Sequence, residues 1–267
     1  MNKVEMKKLN KELNLLRNTN FKKGEPDGFN RCLGSAFYAF MDISNYKRQG
    51  ILKVWNAVQE IDQTVKENKR GPQSSYRIIY DTLYEEANII TDDAALEKAK
   101  RFVAEFANDK AQKQRVLQLT DMIQLYESAM VRFMDFEEVE QYQDKIMNIK
   151  LNAGYEAYKK GIAAGFFRCI AMFLYAALKT TNYKYSGLMR IYQRTLDIDK
   201  AIEDENCALN DELLCYALYE ETDIICSPEF IPLAEAYAEE YSETKTKKGY
   251  QKQVSAILNS YYNIVSE

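Results

Sequence analysis

The chain has 267 residues, 46% apolar and 12% aromatic, with only ten Gly and four Pro. This composition excludes disorder and the turn-rich texture of an all-β chain, and it favours long helices. There is no His, which removes the commonest general base and excludes His-based zinc sites, Ser-His-Asp and Cys-His nucleophiles and the Glu-x-x-His di-iron bundle. The net charge of −4 is unevenly spread: residues 1–134 hold 22 Lys+Arg against 18 Asp+Glu, and residues 135–267 hold 14 against 22.

The first residues, MNKVEMKKLNKELNLL, lack the unbroken apolar run of a signal peptide and predict a charged amphipathic helix over about 3–20. Gly28 to Ile43 predicts a second helix, with Phe29, Cys32, Leu33, Ala36, Phe37 and Phe40 recurring at helical spacing. After a short Ser44-Asn45-Tyr46-Lys47 connection, Ile51, Val54, Val58, Ile61 and Val65 stripe a helix to about Asn68. Ser75–Ile90 is the next, and Thr91-Asp92-Asp93 caps a helix over Ala94–Ala107. Lys110–Met134 completes a unit, and the plan restarts near Tyr142. Ala163–Leu178 is apolar or Gly except at Arg168, the pattern of a helix buried on all sides; at sixteen residues, with a central Arg, it is short for a membrane span. Ser227-Pro228-Glu229 then opens a later helix with Pro in its first turn.

The second half echoes the first. Gly28-Phe29-Asn30-Arg31-Cys32 returns as Gly165-Phe166-Phe167-Arg168-Cys169, and Asn45-Tyr46-Lys47 returns at the same offset as Asn182-Tyr183-Lys184. Leu83-Tyr84-Glu85-Glu86 returns as Leu218-Tyr219-Glu220-Glu221 after a two-residue slip, placed at Lys69-Arg70-Gly71-Pro72 and near Asn206–Asn210. A period this long doubles a whole multi-helix unit and is not a solenoid repeat. The expectation is an all-α protein with no sheet: a tandem duplication of a five- to six-helix unit arranged about a pseudo-twofold axis. Its units are 1–137 and 138–267, either separate or fused into one domain.

Helical phase places Asp62, Glu86, Asp199 and Glu221 on apolar stripes, and Arg31 and Arg168 lie in the core helices. Buried charge must be paired, so each Arg is expected to meet the Asp or Glu of its own unit: Arg31 with Asp62 or Glu86, Arg168 with Asp199 or Glu221. The same carboxylates are the ligands of an alternative reading, a Mg²⁺-dependent nucleotide hydrolase, although the paired Glu-x-x-Glu and Glu-x-x-Asp signature of such enzymes is missing. The two Asn-Tyr-Lys segments, with the arginines, support another alternative, a binder of nucleic acid, nucleotide or phosphate; as structure, Asn45, Tyr46, Lys47, Asn182, Tyr183 and Lys184 suit turns whose Tyr caps the core. Residues 197–223 carry ten acids against Lys200 alone, including Asp204, Glu205, Asp211 and Glu212.

With no catalytic signature and a polarised surface, the sequence reads as a non-enzymatic interaction protein, a regulator or inhibitor that binds a protein partner through charge, a nucleic-acid-handling protein among the candidates, and needs no cofactor. Five cysteines without a CxxC pair, and no export or anchoring signal, point to the cytoplasm and to no membrane partner.

Overall fold

The computed structural model describes residues 3–68, 71–138 and 140–265, with side chains to residue 263. Lys69 and Arg70, in the loop assigned to the sequence slip, lie outside the described residues. Among those described, the protein is all-helical, with no strand. Its helices are α1 (Lys3–Ile43), α2 (Arg48–Glu67), α3 (Pro72–Ala87), α4 (Asp93–Phe106), α5 (Lys113–Met134), α6 (Lys145–Thr180), α7 (Tyr185–Glu203), α8 (Asp211–Thr222), α9 (Ile231–Thr244) and α10 (Tyr250–Val265). A 3₁₀ turn, Pro228–Phe230, leads into α9.

The helix ends follow local chemistry. Asp92, Asp144 and Asn210 cap α4, α6 and α8 by accepting the N–H of Ala95 (3.0 Å), Ile146 (2.8 Å) and Leu213 (2.8 Å). Asn88 and Asp223 close α3 and α8 in the left-handed conformation, at φ 55° and 59°.

The organising contact joins α1 and α6, which run parallel over most of their length. Gly24 packs on the backbone of Tyr158 and Ile162, and Gly161 on that of Phe21 and Glu25; Gly28 meets Ile162, and Gly165 meets Glu25 and Phe29. Four glycines thus let the two backbones touch where any side chain would hold them apart. Further along, Phe37 and Phe173 meet edge to face with centroids 4.7 Å apart.

One expectation is corrected here. Residues 3–20 and 28–43 are not separate helices: α1 is continuous through Gly24 and Pro26. Packing on α6 holds this stretch helical against its own propensity. Pro26 still lacks the N–H that would bond the carbonyl of Lys22, and the matching position of the second half is Ala163, buried inside α6. Pro26→Ala should therefore stabilise the protein by about 1–3 kcal/mol, seen as a higher denaturant midpoint at unchanged m-value.

The remaining helices cross over. α2 and α3 pack on α6, whereas α7 and α8 pack on α1. The buried residues form a core cluster that draws on both halves, from Cys32 and Phe37 to Phe173 and Leu218. By length and composition α6 would span a membrane, but 78% of its apolar window is buried inside the protein.

Residues 3–20 of α1 and 145–152 of α6 extend beyond this body with few buried side chains, leaving Val4, Leu15, Met147 and Ile149 exposed. The arm is basic: residues 3–23 hold seven Lys/Arg against two Glu, and residues 145–160 hold four against one.

Candidate functional site

Two places each hold an Arg and an Asp from sequence positions related by the constant offset, with different outcomes. The first is a closed ionic node. Asp199 of α7, with no exposed side-chain surface, is chelated by Arg31 of α1 through Nε and through Nη2 at 2.7 Å. Arg132, from the end of α5, donates Nη2 to the same carboxylate and Nη1 to the Leu196 carbonyl at 3.0 Å. Glu203, one turn on from Asp199, takes Arg31 Nη2 at 2.8 Å. Phe133 seals the node, its ring 4.7 Å from the Arg132 guanidinium and 4.7 Å from the Phe166 ring. Burial opposes the Arg31 charge, but bonding and attraction to Asp199 and then Glu203 outweigh it and raise the pKa.

The second place is assembled from the matching positions of the opposite halves and is open. By the constant sequence offset, Arg168 matches Arg31, Asp62 matches Asp199 and Lys66 matches Glu203. These three, with Trp55 and Tyr76, line a cleft of about 690 Å³ between α1, α2, α3, α6 and the segment leading to α9. Arg168 does not reach Asp62. Its Nη1 pairs with Glu25 and its guanidinium lies 5.4 Å over the Tyr76 ring. Asp62 Oδ2 takes Lys66 at 2.5 Å along the same helix. Burial lowers the pKa of Arg168; burial, then Asp62 and Cys169, raise that of Tyr76 and keep the phenol neutral.

The expected pairings are thus corrected. Arg31 meets neither Asp62 nor Glu86, and Arg168 meets neither Asp199 nor Glu221, because α7 packs on α1 rather than on its own half's core helix. Glu86 is exposed and binds Lys179 at 3.0 Å, and Glu221 binds Lys247 at 2.9 Å. Asp62, Glu86, Asp199 and Glu221 sit in four separate pairings, and no group of three Cys, Asp or Glu converges as metal ligands would among the described residues.

The inward carboxylate of α8 is Glu220, one residue before Glu221. It accepts the Tyr237 hydroxyl at 2.6 Å and the N–H groups of Lys248, Gly249 and Tyr250 at 2.7, 3.1 and 2.9 Å, fastening the start of α10 to α8 and α9. No sequence signal separated it from its neighbour, since both belong to the retained Leu-Tyr-Glu-Glu run.

The Asn-Tyr-Lys segments form the α1–α2 and α6–α7 turns. Tyr46 and Tyr183 meet edge to face at 5.7 Å, and each ring lies against the glycine four residues on, Gly50 or Gly187. Asn45, Lys47, Asn182 and Lys184 are exposed. Around the α7–α8 connection Glu205, Asp211 and Glu212 are exposed, while Asp204 is partly covered and accepts the Asn206 N–H at 2.9 Å.

The functional reading of both places rests on this geometry: no protein-family model, curated protein or solved structure matches the chain.

Proposed function

We propose that the protein is a non-enzymatic binding protein, a regulator or inhibitor, built by tandem duplication about a pseudo-twofold axis between α1 and α6. The reciprocal contacts support the duplication: Gly24 lies on Tyr158 and Ile162, Gly161 lies on Phe21 and Glu25, and Tyr46 meets Tyr183. Each of these contacts exchanges matching positions of the two halves, as a twofold operation requires.

Its partner is a protein with a basic face, and the acidic surface of α7 to α9 supplies part of the contact. One observation carries this reading: Glu205, Asp211, Glu212, Glu229 and Glu235 are exposed and make no ion pair among the described residues. Neighbouring like charges repel one another, and a complementary surface relieves that repulsion while steering encounter.

The test begins with co-purification from the native cell and mass spectrometry to identify the partner. Changing Asp204, Glu205, Asp211 and Glu212 together to Lys should then slow association at least about tenfold at low salt, with the loss shrinking at high salt and dissociation little altered. Normal binding by that variant overturns the proposal. So does nucleotide turnover with Mg²⁺ that is lost in Glu221→Gln.

The basic arm favours a second reading, nucleic acid as the partner. Lys3, Lys7, Lys8, Lys11, Lys22 and Lys23 are exposed along α1 without ion pairs among the described residues. In that case nucleic acid co-purifies, and log affinity falls linearly with log salt in proportion to the phosphates neutralised.

A further inference from the structure

We infer that the cleft holding Arg168, Asp62 and Trp55 binds a nucleotide-like ligand, a planar ring carrying one oxyanion, supplied either as a free mononucleotide or as the phosphorylated end of a strand. This inference is independent of the acidic docking surface. It starts from the guanidinium of Arg168. Arg31 uses its Nε and Nη2 edge to chelate Asp199, whereas among the described residues Arg168 has one ion pair, through Nη1 with Glu25, and lies over the Tyr76 ring. The Nε and Nη2 edge of Arg168 meets no acceptor among the described residues, although its side chain is only 29% exposed. A partly desolvated guanidinium fork matches the geometry of a phosphate or carboxylate, and Lys66 adds a second cation on the facing wall.

The other walls suit the rest of such a ligand. Trp55 and Phe29 offer ring surface, while Tyr76, its ring beneath Arg168 and stacked on Tyr80, stays neutral with its hydroxyl turned to Met172 Sδ at 3.4 Å. Asp62 commits Oδ2 to Lys66 and leaves Oδ1 without a donor among the described residues, free to accept an N–H or O–H of the ligand. The cleft volume, about 690 Å³, lies within the roughly 300–1,000 Å³ of small-molecule sites.

The node around Asp199 is the more fully occupied counterpart of this place. There Phe133 and Arg132 occupy the space over Arg31 and Asp199, and Glu203 replaces the lysine. The cavity that Arg31 lines is about 260 Å³, less than half the volume of the cleft at Arg168, where the chain keeps the Arg and the Asp but leaves them apart.

Trp55 is the only tryptophan in the sequence and reports directly on the cleft. Titrating the four common nucleoside monophosphates into the purified chain should change its emission saturably for at least one of them. The matching nucleoside without phosphate should bind at least about tenfold more weakly. Lys66→Glu, which installs the residue of the closed node at an exposed position, and Arg168→Lys, which keeps the charge but loses the fork, should each cost at least about tenfold in affinity. A 5′-phosphorylated single-stranded oligonucleotide run in parallel identifies the source: if it binds more tightly than the monophosphate and is equally sensitive to Lys66→Glu, a strand end is the ligand. The inference is overturned if no monophosphate or oligonucleotide alters Trp55 emission, or if binding survives both variants unchanged. Oligonucleotide binding that both variants leave intact assigns that ligand to the basic arm and equally overturns the cleft.

Discussion

Replacing Asp199 with Ala should cost about 3–5 kcal/mol of folding stability, read as a lower denaturant midpoint. The side chain is fully buried and neutralises two arginines that approach from different helices, Arg31 on α1 and Arg132 at the end of α5. Removing it leaves those two guanidinium groups facing each other with Glu203, itself about one-third exposed, as their remaining ion-pair partner among the described residues. The counterpart substitution provides the control. Among the described residues Asp62 pairs only with Lys66, one turn along a helix face open to the cleft, so Asp62→Ala should cost less than about 1 kcal/mol. Equal losses at the two positions would show that burial and the second arginine contribute nothing, contrary to the geometry.

Gly165→Ala and Gly28→Ala should each destabilise by about 3 kcal/mol or more, the upper end for overpacking, because the obstruction is backbone rather than a side chain that can turn away. A Cβ on Gly28 would sit 2.6 Å from the carbonyl carbon of Ile162 and 2.7 Å from its Cα. One on Gly165 would run into the Glu25 carbonyl and lie 2.8 Å from the Phe29 amide nitrogen. Relief requires α1 and α6 to separate, and α2, α3, α5, α7 and α8 all pack on that pair. Gly71 is the contrast: nothing lies within 4 Å of an added Cβ, but its φ of +88° penalises any side chain for conformational reasons alone. Thermal melts should show Gly28→Ala and Gly165→Ala well below the parent; parent-like melts would mean that the close crossing is not formed.

The helical class, most helix positions and the buried character of Ala163–Leu178 are legible in the residues alone, because a 3.6-residue recurrence and cap chemistry are local properties of the chain. The sequence also carries the constant offset at which Arg31 and Arg168, and Asp62 and Asp199, recur. Tertiary structure decided which helix covers which. Periodicity marks Arg31 and Asp199 as inward but says nothing of the neighbour they turn towards, and the crossing of α7 onto α1 joined residues the sequence had assigned to different units. The continuity of α1 through Gly24 and Pro26 was likewise a tertiary matter, since contact with α6 overrides weak local propensity. Glu220 and Glu221 differ by one step of helical phase, about 100°, and only the positions of Tyr237 and the start of α10 turn the first of them into the buried acceptor. The open cleft is a product of tertiary structure in the same sense: Arg168 and Asp62 repeat Arg31 and Asp199 in the chain, but only the folded protein places Arg132 and Phe133 over one pair and leaves the other uncovered.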